Sequence, residues 1–451
     1  MSTDEPGATR WFPTRRRALV AGGAVVAAAV PVLWPSGPGP RASDGPKPAD
    51  FPSDVAVDWA GHYMKLVRYN GIPAPAAAEM VAELGLVLYA VLRAGDRDVR
   101  PLHEQGTPTL RSLRVPDVPT GQDWPLVANA AFRYLLRRRY VDLAGPVLRD
   151  ADRAAERFAD KATPQTRDRA NEAGERIGAA VFDWYLSTMV QPVGGRDSVP
   201  CVRPSGPGAW ETTPPDNAQS ALPLWGLKPT LMIAQPSEDG PGPPPPPEYS
   251  DRPGSECHRL AEEVHRTVAG LTSQQRAIAR HWSDDKWTIS PPGHWLGIAI
   301  QLLHERGAHL ATAAETLWRL GLSQHDAFVS CWWTKYRYNV VRPITYIRRV
   351  FGEANWWSPV PTPCFPEYTS GHSTQSAAAA EALVPTLGSG PFTDRVLTHV
   401  PPRSFEDFRA AAGEAAVSRL YGGIHYSNAN QHGLAEGRRI GTQVAAVRLR
   451  G

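Results

Sequence analysis

Between residues 191 and 253 the chain turns to Pro, Gly and Ser, ending in Gly242 and five consecutive prolines at 243–247. Proline fixes φ and carries no N–H, so such a run is extended polyproline with no packed core of its own. It joins an N-terminal helical half, 51–190, to a C-terminal helical half, 254–451. Within it, Pro207-Gly208-Ala209-Trp210-Glu211-Thr212-Thr213-Pro214-Pro215 is expected to pack over the helices, because a large apolar indole is seldom left on a free linker.

Both halves read as helical. Val55, Trp59, Tyr63, Leu66 and Val67 keep helical spacing over 51–72, and after Pro73 and Pro75 an apolar helix runs over 77–92. A proline-bearing loop covers 95–125, and helices follow over 125–140 and, as one long pattern, 147–186. After the join they are expected at 257–269, 273–282, 295–306, 311–321 and 324–341. Ser323 and Asp326 mark the start of the last of these, and Pro343 stops it. Further helices are expected from 374, over 405–421 and over 430–448. No strand-like alternation of useful length appears, so the fold class is all-α, in two helical-bundle halves.

Charge narrows the partners. The net charge of +3 over 451 residues is carried by the N-terminus, where five arginines (Arg10, Arg15, Arg16, Arg17, Arg41) oppose Asp4 and Glu5. A neutral remainder argues against nucleic acid or an anionic membrane surface as main partner. Thr14-Arg15-Arg16-Arg17-Ala18-Leu19 precedes an uncharged apolar run to Trp34 and a turn-rich exit, the pattern of an export signal. The twin arginines resemble a twin-arginine signal, so residues 1–42 are expected to send the protein out of the cytoplasm or into the medium, with cleavage near Ala42. The other reading is an uncleaved membrane anchor. No later segment is expected to span a membrane. Cys201, Cys257, Cys331 and Cys364 match no zinc spacing and allow several disulfide pairings.

Three clusters carry chemistry. In Phe365-Pro366-Glu367-Tyr368-Thr369-Ser370-Gly371-His372-Ser373 a proline-rich approach meets the first turn of a helix, whose free N–H groups and dipole suit an oxyanion. Ser370 adds a hydroxyl, Gly371 permits close backbone approach, and His372 exchanges protons near neutrality. The commoner role of such a serine is a plain N-cap. Lys335 and Arg342 are seven residues apart, so on one helix they would share a stripe about 10 Å apart along the axis. By themselves they read as a solvated basic face. Arg419 in the last turn of a helix and His425 in the loop after Gly422-Gly423 form the third cluster. Together, Lys335, Arg342 and Arg419 would neutralise a multiply charged anion, Ser370 and the Gly371 N–H would add neutral donors, and His372 and His425 would flank the central atom.

Lys335-x6-Arg342-Pro343, Thr369-Ser370-Gly371-His372 and Ser418-Arg419-x5-His425 resemble the three-part signature of vanadium-dependent haloperoxidases and type 2 phosphatidic-acid-phosphatase-like acid phosphatases. The separations fit, with 25 residues between Pro343 and Thr369 and 45 between His372 and Ser418. Pro291-Pro292-Gly293-His294-Trp295 and Phe365-Pro366-Glu367-Tyr368 resemble bacterial haloperoxidase-type members, and the likeness runs from about 55 to 447. The resemblance implies a helical fold of two bundles and vanadate as cofactor, a site phosphate could also occupy. His425 would bond vanadium, His372 would be the acid–base group, and Lys335, Arg342, Ser370, Gly371 and Arg419 would hold the other oxygens. Hydrogen peroxide and a halide would react there, Lys335 polarising the peroxide, to release hypohalous acid toward an organic acceptor. Trp332 and Phe365 match positions that carry aromatics in chlorinating members.

Two positions depart from the family pattern. Thr369 stands where a proline is common, and Ala429 stands where an Asp follows the axial histidine by four. That Asp would fix the His425 tautomer, so its loss predicts a weakened site unless another group replaces it. Two other functions share these residues. One is an acid phosphatase in which His425 attacks the phosphorus of a phosphate ester, and the other is an exported anion-binding or structural protein without activity. A membrane lipid phosphatase is disfavoured by the charges on the helices near the site.

Overall fold

The computed structural model describes residues 45–143, 145–160, 162–190, 205–285 and 287–450. The expected export segment, 1–42, and Cys201 lie outside them. Within these residues the chain is mostly helical, as expected from the sequence, with 14 helices and only two short strands. The helices are α1 (Asp54–Asn70), α2 (Ala74–Gly95), α3 (Pro108–Arg111), α4 (Trp124–Arg139), α5 (Gly145–Ala159), α6 (Pro164–Thr188), α7 (Glu256–Ala269), α8 (Ser273–His281), α9 (Ser290–Glu305), α10 (Leu310–Tyr338), α11 (Pro343–Val350), α12 (Gly371–Leu387), α13 (Phe408–Tyr421) and α14 (Ser427–Ala445). Strands β1 (Phe392–Asp394) and β2 (Arg403–Phe405) form an antiparallel hairpin that the sequence reading did not anticipate. Three residues per strand are too few to show an alternation.

Two sequence expectations are corrected by local chemistry. The pattern over 147–186 is two helices, α5 and α6, because Pro164 takes the first helical position and the Thr163 hydroxyl accepts the Thr166 N–H (3.2 Å) as an N-cap. Conversely, 311–321 and 324–341 are one 29-residue helix, α10. Ser323 is no cap: it is buried inside the helix, its hydroxyl donating to the Leu320 carbonyl (2.9 Å). Asp326 is equally interior, and its carboxylate accepts the N–H groups of Leu231, Met232 and Ile233 at 2.7, 2.7 and 2.9 Å. Those three bonds pin the proline-rich join to α10. Trp210 N–H donates to the Asn339 carbonyl (2.7 Å) and Val341 N–H to that of Gly208 (2.8 Å), so the 207–215 stretch packs on the helices.

The helix α2 is long and apolar enough to cross a bilayer, which the sequence reading overlooked, but here it is the buried centre of the molecule. It lies directly on α10. A Cβ on Gly85 would fall 2.6 Å from the Leu317 carbonyl oxygen, and one on Gly321 would fall 2.5 Å from that of Val81, so only glycine permits this approach. Through this pair the N-terminal helices share one hydrophobic core with α9, α10, α12 and α13, and residues 44–451 make one unit. The functional residues gather where the C-terminal end of α10 meets the start of α12 and the α13–α14 loop. Cys257 and Cys331 are thiols.

Candidate oxyanion site

Lys335 lies in the last turn of α10, which ends where Asn339 takes a left-handed conformation (φ 49°) and returns its N–H to the Lys335 carbonyl. Arg342 therefore does not continue that helix, as the seven-residue spacing suggested; it is the N-cap of α11, with Pro343 at its first position. The two cations still converge, because a third segment runs between them. Lys335 Nζ donates to the carbonyls of Pro366, Glu367 and Thr369 at 2.9, 2.9 and 2.5 Å. Arg342 Nε donates to the Phe365 carbonyl (2.9 Å) and Nη1 to that of Ile424 (2.9 Å). Both side chains are fully buried. The solvated basic face is excluded.

The Ser-Gly-His turn begins α12. Ser370 is its N-cap, and its Oγ accepts from the Ser373 N–H (3.4 Å) and hydroxyl (2.8 Å). Gly371 and His372, at the first two helical positions, have N–H groups without an intrahelical acceptor. Ser370 N–H donates to the Ala429 carbonyl (3.2 Å), which ties this turn to α14. A Cβ on Gly371 would meet Phe328 at 3.6 Å and Trp332 at 3.7 Å, which are ordinary contacts. Packing alone thus does not demand glycine there.

Arg419 ends α13. Its Nε donates to the Ser418 hydroxyl (2.9 Å) and its Nη2 to the carbonyls of Ala279 and Trp282. His372 Nε2 is buried and without a hydrogen-bond partner. The end of α8 and the turn after it therefore hold the Arg419 cation, a role that sequence reasoning missed. Burial, then Arg419 and His294, push His372 well below the ordinary histidine range, so the ring is neutral.

His425 carries the main correction. Its Nδ1–H donates to a Glu367 carboxylate oxygen at 2.7 Å, and the same oxygen accepts the Tyr426 N–H at 3.0 Å. Ala429 does remove the carboxylate expected on α14, but Glu367 supplies one from the opposite wall. The carboxylate fixes the tautomer, so Nε2 bears the lone pair and accepts from Arg342 Nη1 at 3.3 Å. Burial, then Arg342, Lys335 and Arg419, hold His425 well below the usual histidine range. Glu367 was visible in the sequence, two residues from Thr369, but no spacing rule connects it to a histidine 58 positions away.

All the residues read from the sequence thus meet: Lys335, Arg342, Ser370, Gly371, His372, Arg419 and His425. Burial lowers Lys335 to about 7 and Arg342 and Arg419 each to about 10. It raises Glu367 to about 7. Arg342 Nη2 is buried with no hydrogen-bond partner. Donors left over, cations short of counter-charge and a neutral imidazole lone pair fit a vanadate or phosphate group. Trp332 and Phe365 pack 4.9 Å apart, with Lys335 Nζ 5.8 and 5.0 Å from their ring centres.

Residues 316–450 match the family model for the VCPO second helical-bundle domain. The fold matches the crystal structure of a bacterial vanadium-dependent iodoperoxidase with a TM-score of 0.77 at 26% identity, covering 89% of this chain and 97% of that one. By fold, the chain is vanadium haloperoxidase-like. A holo-type bacterial vanadium-dependent chloroperoxidase also matches, at TM-score 0.63 and 16% identity over 88% of this chain and 97% of that one. Its apo-type counterpart gives 0.59, also at 16% identity, over 83% and 94%. No curated protein sequence matches.

Proposed function

We propose that the protein is a vanadate-dependent haloperoxidase, oxidising a halide with hydrogen peroxide to a hypohalous-acid-like halogenating species. The observation that carries this reading is the Glu367–His425 pair. A neutral imidazole, oriented through Nδ1 by a buried carboxylate (2.7 Å), turns its Nε2 lone pair toward a cationic wall. Bound vanadate would supply a Lewis-acid centre that activates peroxide without changing its own oxidation state.

The chain's residues then divide the work. Arg342, Arg419 and Lys335 would balance the anion's charge, with the Ser370 hydroxyl and the first-turn N–H groups as neutral donors. Lys335 would exchange one of its three carbonyl acceptors for an oxyanion or peroxide oxygen. His372, whose Nε2 has no protein partner, would take and return the proton. Trp332 and Phe365 keep water from the Lys335 side. Iodide is the first halide to test, since the 26%-identical structure is that of an iodoperoxidase. An organic acceptor would take up the halogen, and export would proceed through residues 1–42.

The test is a paired assay on the purified full chain. Vanadate-loaded protein should iodinate or brominate a dione only with peroxide and halide present, and p-nitrophenyl phosphate turnover should be slow and blocked by vanadate. Phosphate-ester turnover without any vanadate-dependent halogenation would overturn the proposal and assign His425 as a phosphatase nucleophile.

A further inference from the structure

We infer that His281, His294 and Asp394 form a binding site for a divalent transition-metal ion, separate from the oxyanion residues, with Zn2+ the ion their donors fit. His281 Nε2 and His294 Nε2 both point at the same Asp394 oxygen, Oδ2, each at 2.9 Å. The three candidate ligand atoms lie within 4.8 Å of one another, and all three residues are buried. Tetrahedral zinc with bonds of about 2.0–2.1 Å sets its ligand atoms about 3.3 Å apart. The two Asp394–histidine distances of 2.9 Å would open by about 0.4 Å to admit the ion.

The surroundings are those of a ligand set. His294 Nδ1 lies 3.0 Å from both Asp284 oxygens, a carboxylate–histidine pairing that leaves Nε2 for the metal. The other Asp394 oxygen accepts the Val396 N–H (2.9 Å), which keeps Oδ2 turned toward the two rings. Trp282 stacks on His294 at 4.7 Å and fixes its plane. Charge points the same way. Two buried carboxylates face two imidazoles, and a divalent cation with both rings neutral brings that sum to zero. Two imidazoles and one carboxylate are donors suited to zinc or ferrous iron and poor for magnesium or calcium.

The site would also do structural work. Its ligands come from the end of α8, from α9 and from β1, and a two-stranded hairpin of three-residue strands is marginal without an anchor. His281 and Asp284 bracket Trp282, whose carbonyl accepts from Arg419. A metal here would brace one wall of the oxyanion site from behind.

The test needs no catalytic activity. Elemental analysis of the purified full chain should give about one equivalent of zinc, or of another divalent transition metal, per chain. A chelator should remove it with a fall in Tm, and Zn2+ alone should restore both. His281→Ala and Asp394→Asn should each cut the metal content at least tenfold, whereas His304→Ala, an exposed control, should not. If a variant fails to fold, X-ray absorption at the zinc edge of the wild-type protein should show two imidazoles. Less than a tenth of an equivalent in folded wild-type protein, with no Zn2+ uptake by calorimetry, would overturn the inference. Metal retained undiminished in both variants, or an edge spectrum without imidazoles, would overturn it equally.

Discussion

Gly437→Ala is the sharpest steric test of how the Ser-Gly-His turn is held. Gly437 sits on α14 where it crosses α12, and a Cβ there would lie 2.1 Å from the Thr374 carbonyl oxygen and 2.8 Å from Ala377 Cβ. Ordinary contact begins at 3.4 Å, so the helices must part by about 1 Å. Tilting offers no relief, because a Cβ on Gly433 or Gly441, one turn either way, would also lie under 3.0 Å from α12. Overpacking of this kind costs about 1–3 kcal/mol. A clash with backbone belongs at the upper end, against about 1 kcal/mol gained from alanine's helix propensity. A net loss of about 2 kcal/mol should appear in urea unfolding as a lower midpoint at unchanged slope. Thr374 also gives its N–H and hydroxyl to the Ser370 carbonyl (3.0 and 2.9 Å), so phosphate or vanadate affinity should fall with stability. Gly413→Ala is the control: it lies within α13 with no atom inside 4 Å of its would-be Cβ, and it should gain about 0.5–1 kcal/mol. Wild-type stability in Gly437→Ala, or equal losses in both variants, would refute the close-approach argument.

Other consequences follow from the site. Glu367→Gln keeps an acceptor for His425 but removes the charge, and vanadate affinity by calorimetry should fall about tenfold at pH 8. Since burial raises Glu367 to about 7, the wild-type group is itself protonated at low pH, and the difference should vanish below pH 6. Tighter binding by the variant at pH 8 would mean that the carboxylate acts chiefly by repelling the anion. Lys335 is lowered to about 7 by burial, so between about 7 and its ordinary 10.5 the unfolded chain holds a proton that the folded one lacks, and Lys335 makes stability rise with pH there. A bound anion restores that proton; oxyanion affinity should therefore weaken above pH 7 by up to about tenfold per unit, and Lys335→Met should remove that part of the slope. His372→Ala should keep anion affinity within about threefold while lowering turnover by about 10²–10⁴, and loss of binding instead would make His372 an anion ligand.

The helices and the residues of the site were legible because each rests on local rules. Periodicity located α1, α2 and α4, and Gly422-Gly423 marked the end of α13. Long-range partners were not legible. Ser323 looked like a cap because serine before a periodic stretch caps many helices, yet here it is fully buried in the middle of a 29-residue helix. Arg342 was placed on the wrong helix because spacing cannot report that Asn339 turns left-handed. Ala429 pointed to a missing carboxylate, and sequence offered no means of seeing that Glu367 comes from another wall.

The same segment explains why the site can hold three buried cations before any anion arrives. Phe365, Pro366, Glu367 and Thr369 give their carbonyls to Lys335 and Arg342, while the Trp282 turn does the same for Arg419. Carbonyl dipoles satisfy most of the donors, Arg342 Nη2 excepted, without cancelling the charge, and burial still depresses all three. A carboxylate laid against each cation would have relieved that cost and also removed the reason to bind an oxyanion. Of the carboxylates close by, Glu367 instead spends its contact on His425, where it orients a lone pair. With Glu367 behind the histidine, and only carbonyls and the His425 ring bonded to Lys335 and Arg342, these two side chains keep a positive field with no carboxylate bonded to it.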